Sequence, residues 1–203
     1  PLTLGSNPDD GAVLDGRLFF SAYSGDLGAE LWVSDGTGTG TNLFLELDPG
    51  PTSGSPWDFV PLGDDRLVFR GNQEPWVTDG TLAGTFQLAD IAPGDLGSLT
   101  GFFESLGDKV IFRADDDVLG AEIWVTDGTS AGTEMIADLY PGPISSFPTA
   151  LHAHTDGYVY FDANTPGVGS ELWRTDGTAA GTTMVAETWP GTAGGNPSHL
   201  ASL

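Results

Sequence analysis

The chain is 203 residues long, carries 29 acidic against 6 basic side chains for a net charge of −23, and has no cysteine. So one-sided a charge excludes nucleic acid and anionic membrane as partners, and the missing cysteine excludes disulfide scaffolds, Cys-ligated metal and thiol nucleophiles. No apolar run reaches the length of a membrane span, which rules out membrane insertion by a helix, and a start at Pro1 without a signal-peptide pattern is expected of a processed or excised piece.

The 30 glycines and 14 prolines recur at fixed places, as short strands joined by tight turns require, so the predicted class is all-β. A first unit, residues 1–49, opens on a stretch ending at Leu14. It continues through Leu18-Phe19-Phe20 to Glu30-Leu31-Trp32-Val33-Ser34-Asp35-Gly36-Thr37, then Gly40-Thr41, and closes on Pro49-Gly50. The second, residues 50–93, predicts a first strand over Asp58 to Leu62 and a second through Leu67-Val68-Phe69. Its motif is Glu74-Pro75-Trp76-Val77-Thr78-Asp79-Gly80-Thr81, followed by Gly84-Thr85. The third, residues 94–141, repeats this with Val110-Ile111-Phe112, Glu122-Ile123-Trp124, Asp127-Gly128-Thr129 and Gly132-Thr133. The fourth, residues 142–189, has Tyr158-Val159-Tyr160-Phe161, Glu171-Leu172-Trp173, Asp176-Gly177-Thr178 and Gly181-Thr182. From Trp32 through Trp76 and Trp124 to Trp173 the steps are 44, 48 and 49 residues. Four strands per unit at this period predict a β-propeller of four blades, each of four antiparallel strands.

The motif has a reading that needs no chemistry. Asp35, Asp79, Asp127 and Asp176 each precede Gly-Thr, a turn in which Gly accepts positive φ and Asp and Thr oxygens hold loop amides. Trp32, Trp76, Trp124 and Trp173, at one constant strand position, are expected to pack between neighbouring sheets, each indole N–H needing an acceptor. The preceding Glu supplies that acceptor or caps a neighbouring turn. Acids recur also at Glu46, Asp90, Asp138 and Glu187 before Pro-Gly, so much of the charge is one unit's bias repeated four times.

The Glu-Leu-Trp-x-x-Asp-Gly-Thr-x-x-Gly-Thr pattern resembles the ELWxxDGT repeats found in tandem in large secreted or cell-surface bacterial proteins. The second unit departs from it, with Pro75 at the aliphatic position and a short loop before its motif. The resemblance implies a propeller-like extracellular repeat module and brings no catalytic residues. More distantly, the turn resembles the Asp-box hairpin of sialidase-type propellers, itself structural.

Residues 190–203 repeat the register of residues 1–14, a duplicated terminal strand with its best strand sequence at His199-Leu200-Ala201-Ser202-Leu203. Two strands then claim one place in a four-bladed ring. The last strand closes the ring by completing the first blade in place of residues 9–14, or it adds to the next molecule, or the chain is cut from a longer array.

Between second strand and Trp the distance is 12 residues in the first, third and fourth units and 7 in the second. Three long loops and one short one predict an asymmetric face with a groove. Asp115, Asp116 and Asp117 are the densest acid run and the only candidate for a cofactor, calcium, against the plainer reading of a solvated loop. His152 and His154 alternate on a strand as two metal ligands do, but His154 falls where other units have Leu14, Leu62 and Leu106, a packing position. Trp57 and Trp189 lie outside the shared motif and are candidate platforms for stacking a sugar, against ordinary inter-blade packing. Carboxylates are plentiful enough to form a glycosidase pair by chance, and no serine-hydrolase, phosphate-loop or zinc-protease motif occurs.

The predicted function is a non-catalytic extracellular or cell-surface structural module, partnered by itself or another extracellular protein and self-associating through its terminal strand. The alternative is a carbohydrate-binding propeller with a glycan as ligand. An enzyme ranks third.

Overall fold

Each unit is a stretch of β-branched and aromatic residues interrupted by Gly, Asp and Pro, and each forms one small antiparallel meander. The computed structural model describes residues 11–94, 97–198 and 200. The first sheet holds β1 (Gly11–Leu14), β2 (Arg17–Ser24), β3 (Gly28–Ser34) and β4 (Asn42–Leu45). The second holds β5 (Trp57–Leu62), β6 (Arg66–Gly71), β7 (Glu74–Thr78) and β8 (Phe86–Gln87). The third holds β9 (Gly101–Leu106), β10 (Lys109–Asp115), β11 (Ala121–Thr126) and β12 (Glu134–Ala137). The fourth holds β13 (Thr149–Ala153), β14 (Val159–Thr165), β15 (Gly169–Thr175) and β16 (Thr183–Ala186). Strands pair in chain order within every sheet. A single 3-10 turn, Ser130–Gly132, is the one helical element among the described residues.

Register is the same in all four sheets. Phe20 pairs with Trp32, Phe69 with Trp76, Phe112 with Trp124 and Phe161 with Trp173. Because side chains alternate along a strand, these residues share the face turned toward the preceding sheet, while Phe19, Val68 and Ile111 face the following one. Three apolar clusters result, one per pair of consecutive sheets. Leu14, Phe19 and Leu31 meet Leu67 and Phe69; Leu62, Val68 and Val77 meet Val110 and Phe112; Ile111, Ile123 and Val125 meet Val159 and Phe161. The first strands β1, β5, β9 and β13 pack in succession along the inner side.

The four-bladed ring predicted from the sequence is not closed: among the described residues no cluster of this kind joins the fourth sheet to the first. Nor is the first strand displaced, since β1 pairs with β2 from Gly11↔Phe20 to Leu14↔Arg17. The terminal strand prediction falls on residues 199 and 201–203, outside the described residues, as do Asp9 and Asp10. Leu200, which is described, sits beside His152, His154, Tyr160 and Leu172, on the side of the fourth sheet turned away from the third. It repeats the position of Leu151, which is buried against the third sheet.

The predicted long loops are in large part strand. β2 and β3 pair as far as Ser24↔Gly28, and β14 and β15 as far as Thr165↔Gly169. In these two units the extra residues lengthen the hairpin; in the third, pairing ends at Asp115↔Ala121 and residues 116–120 form the loop. The short second hairpin turns on Asn72 and Gln73, both at positive φ (52° and 66°), as a two-residue primed turn demands.

Candidate functional site

The Asp-Gly-Thr turns repeat nearly atom for atom. Asp35 Oδ1 accepts from the Thr37 amide and hydroxyl at 2.9 and 2.7 Å, the Thr37 hydroxyl accepts from the Gly40 amide, and the Thr41 hydroxyl donates to the Thr37 carbonyl. The same bonds form around Asp79, Asp127 and Asp176. In all four the Thr hydroxyl holds the Asp carboxyl below its ordinary value, with the Thr amide assisting. Gly40, Gly84, Gly132 and Gly181 lie so close to that carboxylate that a Cβ would strike it, which explains the second glycine of the motif. Oδ1 of each aspartate is thus occupied by its own loop.

The glutamates before Trp are buried and join the sheets. Glu30 accepts from the amides of Leu47 and Gly54, Glu74 from Ile91 and Ser98, Glu122 from Leu139 and Ser146, and Glu171 from Thr188 and Gly195. The partners always lie 17 and 24 residues downstream, so each carboxylate clamps the end of its own sheet to the linker leading onward. Burial pushes the Glu30 and Glu122 carboxyls up, while the Thr188 hydroxyl chiefly holds that of Glu171 down. Of the two roles predicted, capping is the one observed: the Trp124 indole donates to the Ala114 carbonyl at 3.1 Å, not to Glu122. The indole nitrogens of Trp32, Trp76 and Trp173 are buried with no hydrogen-bond partner among the described residues.

The six basic residues fall into two sets. Arg17 donates to the Gly80 carbonyl at 2.8 Å, Arg66 donates to that of Asp127 at 3.1 Å, and Lys109 packs on Gly177, each reaching the turn of the following sheet. Arg70, Arg113 and Arg174 lie over the rings of Trp57, Phe102 and Tyr158 at 4.8, 4.5 and 4.3 Å. The turn of the first sheet lacks a cation: Gly36 is exposed with open space around it, whereas Gly80, Gly128 and Gly177 are buried.

That asymmetry extends over the whole outward face of the first sheet. Leu18 is 37% exposed and Phe20 is partly exposed, although Leu67, Val110 and Val159 and the phenylalanines Phe69, Phe112 and Phe161 are sealed. The opposite end face differs in chemistry. The fourth sheet places His154, Tyr160 and Arg174 where earlier sheets place Leu62, Val68 and Val77. His152 and His154 do share this face, around a hollow of about 230 Å³. His154 Nδ1 lies 3.1 Å from Asp156 Oδ1, and Tyr160 donates to Asp156 at 2.8 Å. His199 lies outside the described residues.

Among the described residues no group of three His, Asp or Glu side chains is placed to hold a metal ion. In the Asp115–Asp117 run, Asp115 Oδ1 accepts from the Asp117 amide, and Asp116 Oδ1 from the amides of Val118 and Leu119. The loop's own amides thus occupy an oxygen on each of Asp115 and Asp116.

Trp57 opens β5 and lines a cavity of about 310 Å³ on the inner strands, together with Asp58, Phe102, Phe103, Glu104 and Leu151. Trp189 is exposed in the loop after β16 and takes no part in it. Asp58, Phe102 and Ala150 stand at one repeat position and all have positive φ (60°, 59° and 55°), each within an irregular stretch of pairing of the first strand. Such a bulge re-aims a side chain. The backbone device is repeated; the side chain it presents is not. Asp58 Oδ2 accepts from the Phe103 amide at 3.1 Å, and burial chiefly pushes the Glu104 carboxyl up.

No family model and no curated protein matches the chain. Solved structures do. Puromycin hydrolase matches with a TM-score of 0.52 at 16% identity, over 90% of this chain and 32% of that one. A mutant of puromycin hydrolase complexed with PGG matches at 0.49 and 16%, over 89% and 33%. An endo-arabinase from Bacteroides thetaiotaomicron matches at 0.35 and 16%, over 85% and 78%. The chain spans about a third of the length of puromycin hydrolase. At this identity the first likeness shows the fold alone: a β-propeller-like, all-β stack of four-stranded sheets.

Proposed function

We propose that the protein is a non-catalytic structural and interaction module, extracellular or cell-surface, whose sheets are an arc of a propeller-type array completed by a further sheet packing on the first. One observation carries the reading: the face at Leu18, Phe20 and Trp32 has the composition of three sealed interfaces, and none of the described residues covers it. The unfilled turn at Asp35-Gly36, where three others receive an Arg or Lys, supports the same occupant. The two end faces are unlike, so association between copies runs head to tail, as a heterologous contact does. The resemblance to ELWxxDGT repeats and the acidic surface support the extracellular setting.

Sedimentation velocity from about 1 to 100 μM tests the reading in the range where a modest interface shows. A mass that rises with concentration, and stays monomeric in the Leu18→Glu, Phe20→Glu double variant, is expected. A wild-type chain monomeric throughout, or association indifferent to both substitutions, overturns it.

A further inference from the structure

The repeat keeps its backbone constant on the inner strands and varies the side chains. Consecutive sheets carry Asp58, Phe102 and Ala150 at the same positive-φ position, and around the first two lies the cavity of about 310 Å³, within the range of small-ligand pockets. Its walls are of two kinds. Trp57 and Phe102 are 40% and 41% exposed, and each has a guanidinium over its ring, from Arg70 and Arg113. That stacking uses one face of the ring and sets its orientation. Asp58 and Glu104 line it as well, each carboxylate accepting one backbone amide, of Phe103 and Ala153 respectively, and Phe103 and Leu151 are its buried apolar lining.

We infer that this cavity binds a neutral saccharide unit. A sugar ring presents C–H faces that pack on an aromatic face and edges of hydroxyl donors that carboxylates accept, so both kinds of wall are used at once. An acidic ligand would meet Asp58 and Glu104 inside a chain of net charge −23, so uronates are rejected. The site draws on three consecutive sheets at once, through Trp57 and Asp58 of β5, Phe102 to Glu104 of β9 and Leu151 of β13, so it lies across their junctions rather than within one unit. Trp189 is not part of it.

The test is calorimetry and tryptophan fluorescence on the whole chain with cellohexaose, mannohexaose, laminarihexaose and chitohexaose, and with a hexamer of galacturonate as the acidic control. At least one neutral oligosaccharide is expected to bind with a dissociation constant near or below about 1 mM. Phe102→Ala and Trp57→Ala are each expected to weaken it at least tenfold, and Asp58→Asn severalfold. Both aromatic side chains are exposed, and unchanged melting curves establish that the variants are folded; should one unfold, the other decides. Silence with every neutral oligosaccharide overturns the inference. So does preference for the galacturonate hexamer, or binding that survives both aromatic substitutions and is lost instead in Trp189→Ala.

Discussion

Phe20 and Phe112 occupy the same place in the repeat, opposite a Trp on the neighbouring strand, and differ only in whether a preceding sheet covers them. Phe112, on β10, is fully buried against the second sheet, with Phe103 at 5.2 Å and Trp124 at 6.4 Å. Truncating it to alanine removes transfer free energy of about 2–3 kcal/mol. A residual cavity of roughly 80 Å³, at about 24 cal/mol per Å³, adds about 2 kcal/mol. Phe112→Ala is therefore expected to cost about 4 kcal/mol, within the usual span for such a change. Phe20 is partly exposed and closes no cavity, so Phe20→Ala is expected to cost about 1 kcal/mol. Urea unfolding followed by tryptophan fluorescence, at a concentration where the chain is monomeric, reads both. Equal losses from the two variants would refute the inference that the first sheet's face is uncovered in the monomer.

Other consequences are open to measurement. Glu122→Ala strands the amides of Leu139 and Ser146 and the Ser146 hydroxyl, and at roughly 1–3 kcal/mol per orphaned donor, partly relieved by water, the loss should be about 3 kcal/mol; a loss below about 0.5 kcal/mol in thermal melts would deny the clamp. The carboxyls of Asp35, Asp79, Asp127 and Asp176 should titrate below the ordinary 3.8 by carbon NMR. Their native pKa values are lowered, so what they add to stability is complete above 3.8 and disappears as pH falls through the native values. Thr129→Val should bring Asp127 back toward 3.8, and no movement would remove the hydroxyl as the cause. Glu122, raised by burial, has the opposite sign, its contribution declining as pH rises from 4.5 toward the native value. Arg66→Ala should loosen the Asp127-Gly128 turn by about 1 kcal/mol, seen as faster amide exchange there and not at Asp35-Gly36, which no cation reaches.

Much of the local structure was legible because it is dictated by neighbours in the chain. Asp-Gly-Thr specifies its turn through bonds spanning two to four residues, and alternating aromatics specify strands and register wherever one face must be dry. The clamp was legible too in retrospect: Glu is followed at 17 and 24 residues by its partners in all four copies, although spacing alone does not say that a carboxylate is buried there. Which of its two predicted roles the glutamate takes was not legible, for a related reason. Glu122 is next but one to Trp124 in sequence, but alternation points the two to the same side at different depths, and a cross-strand carbonyl at Ala114 lies nearer the ring nitrogen.

The sequence by itself determined four units of four strands, their turns, and the acid and glycine positions that repeat with them, since each depends on contacts within one unit. Only the tertiary structure decided how the units meet. Whether Phe20 is sealed like Phe112, whether the ring closes, and which Trp faces a cavity depend on the angle between sheets, which is set by side chains nearly 50 residues apart. Trp57 and Phe102 come together in that way, and no local pattern joins them. The charge of −23 likewise gained structure: the four buried glutamates each join a sheet to its linker, the four turn aspartates are occupied by their own loops, and the few cations serve neighbouring turns and aromatic rings.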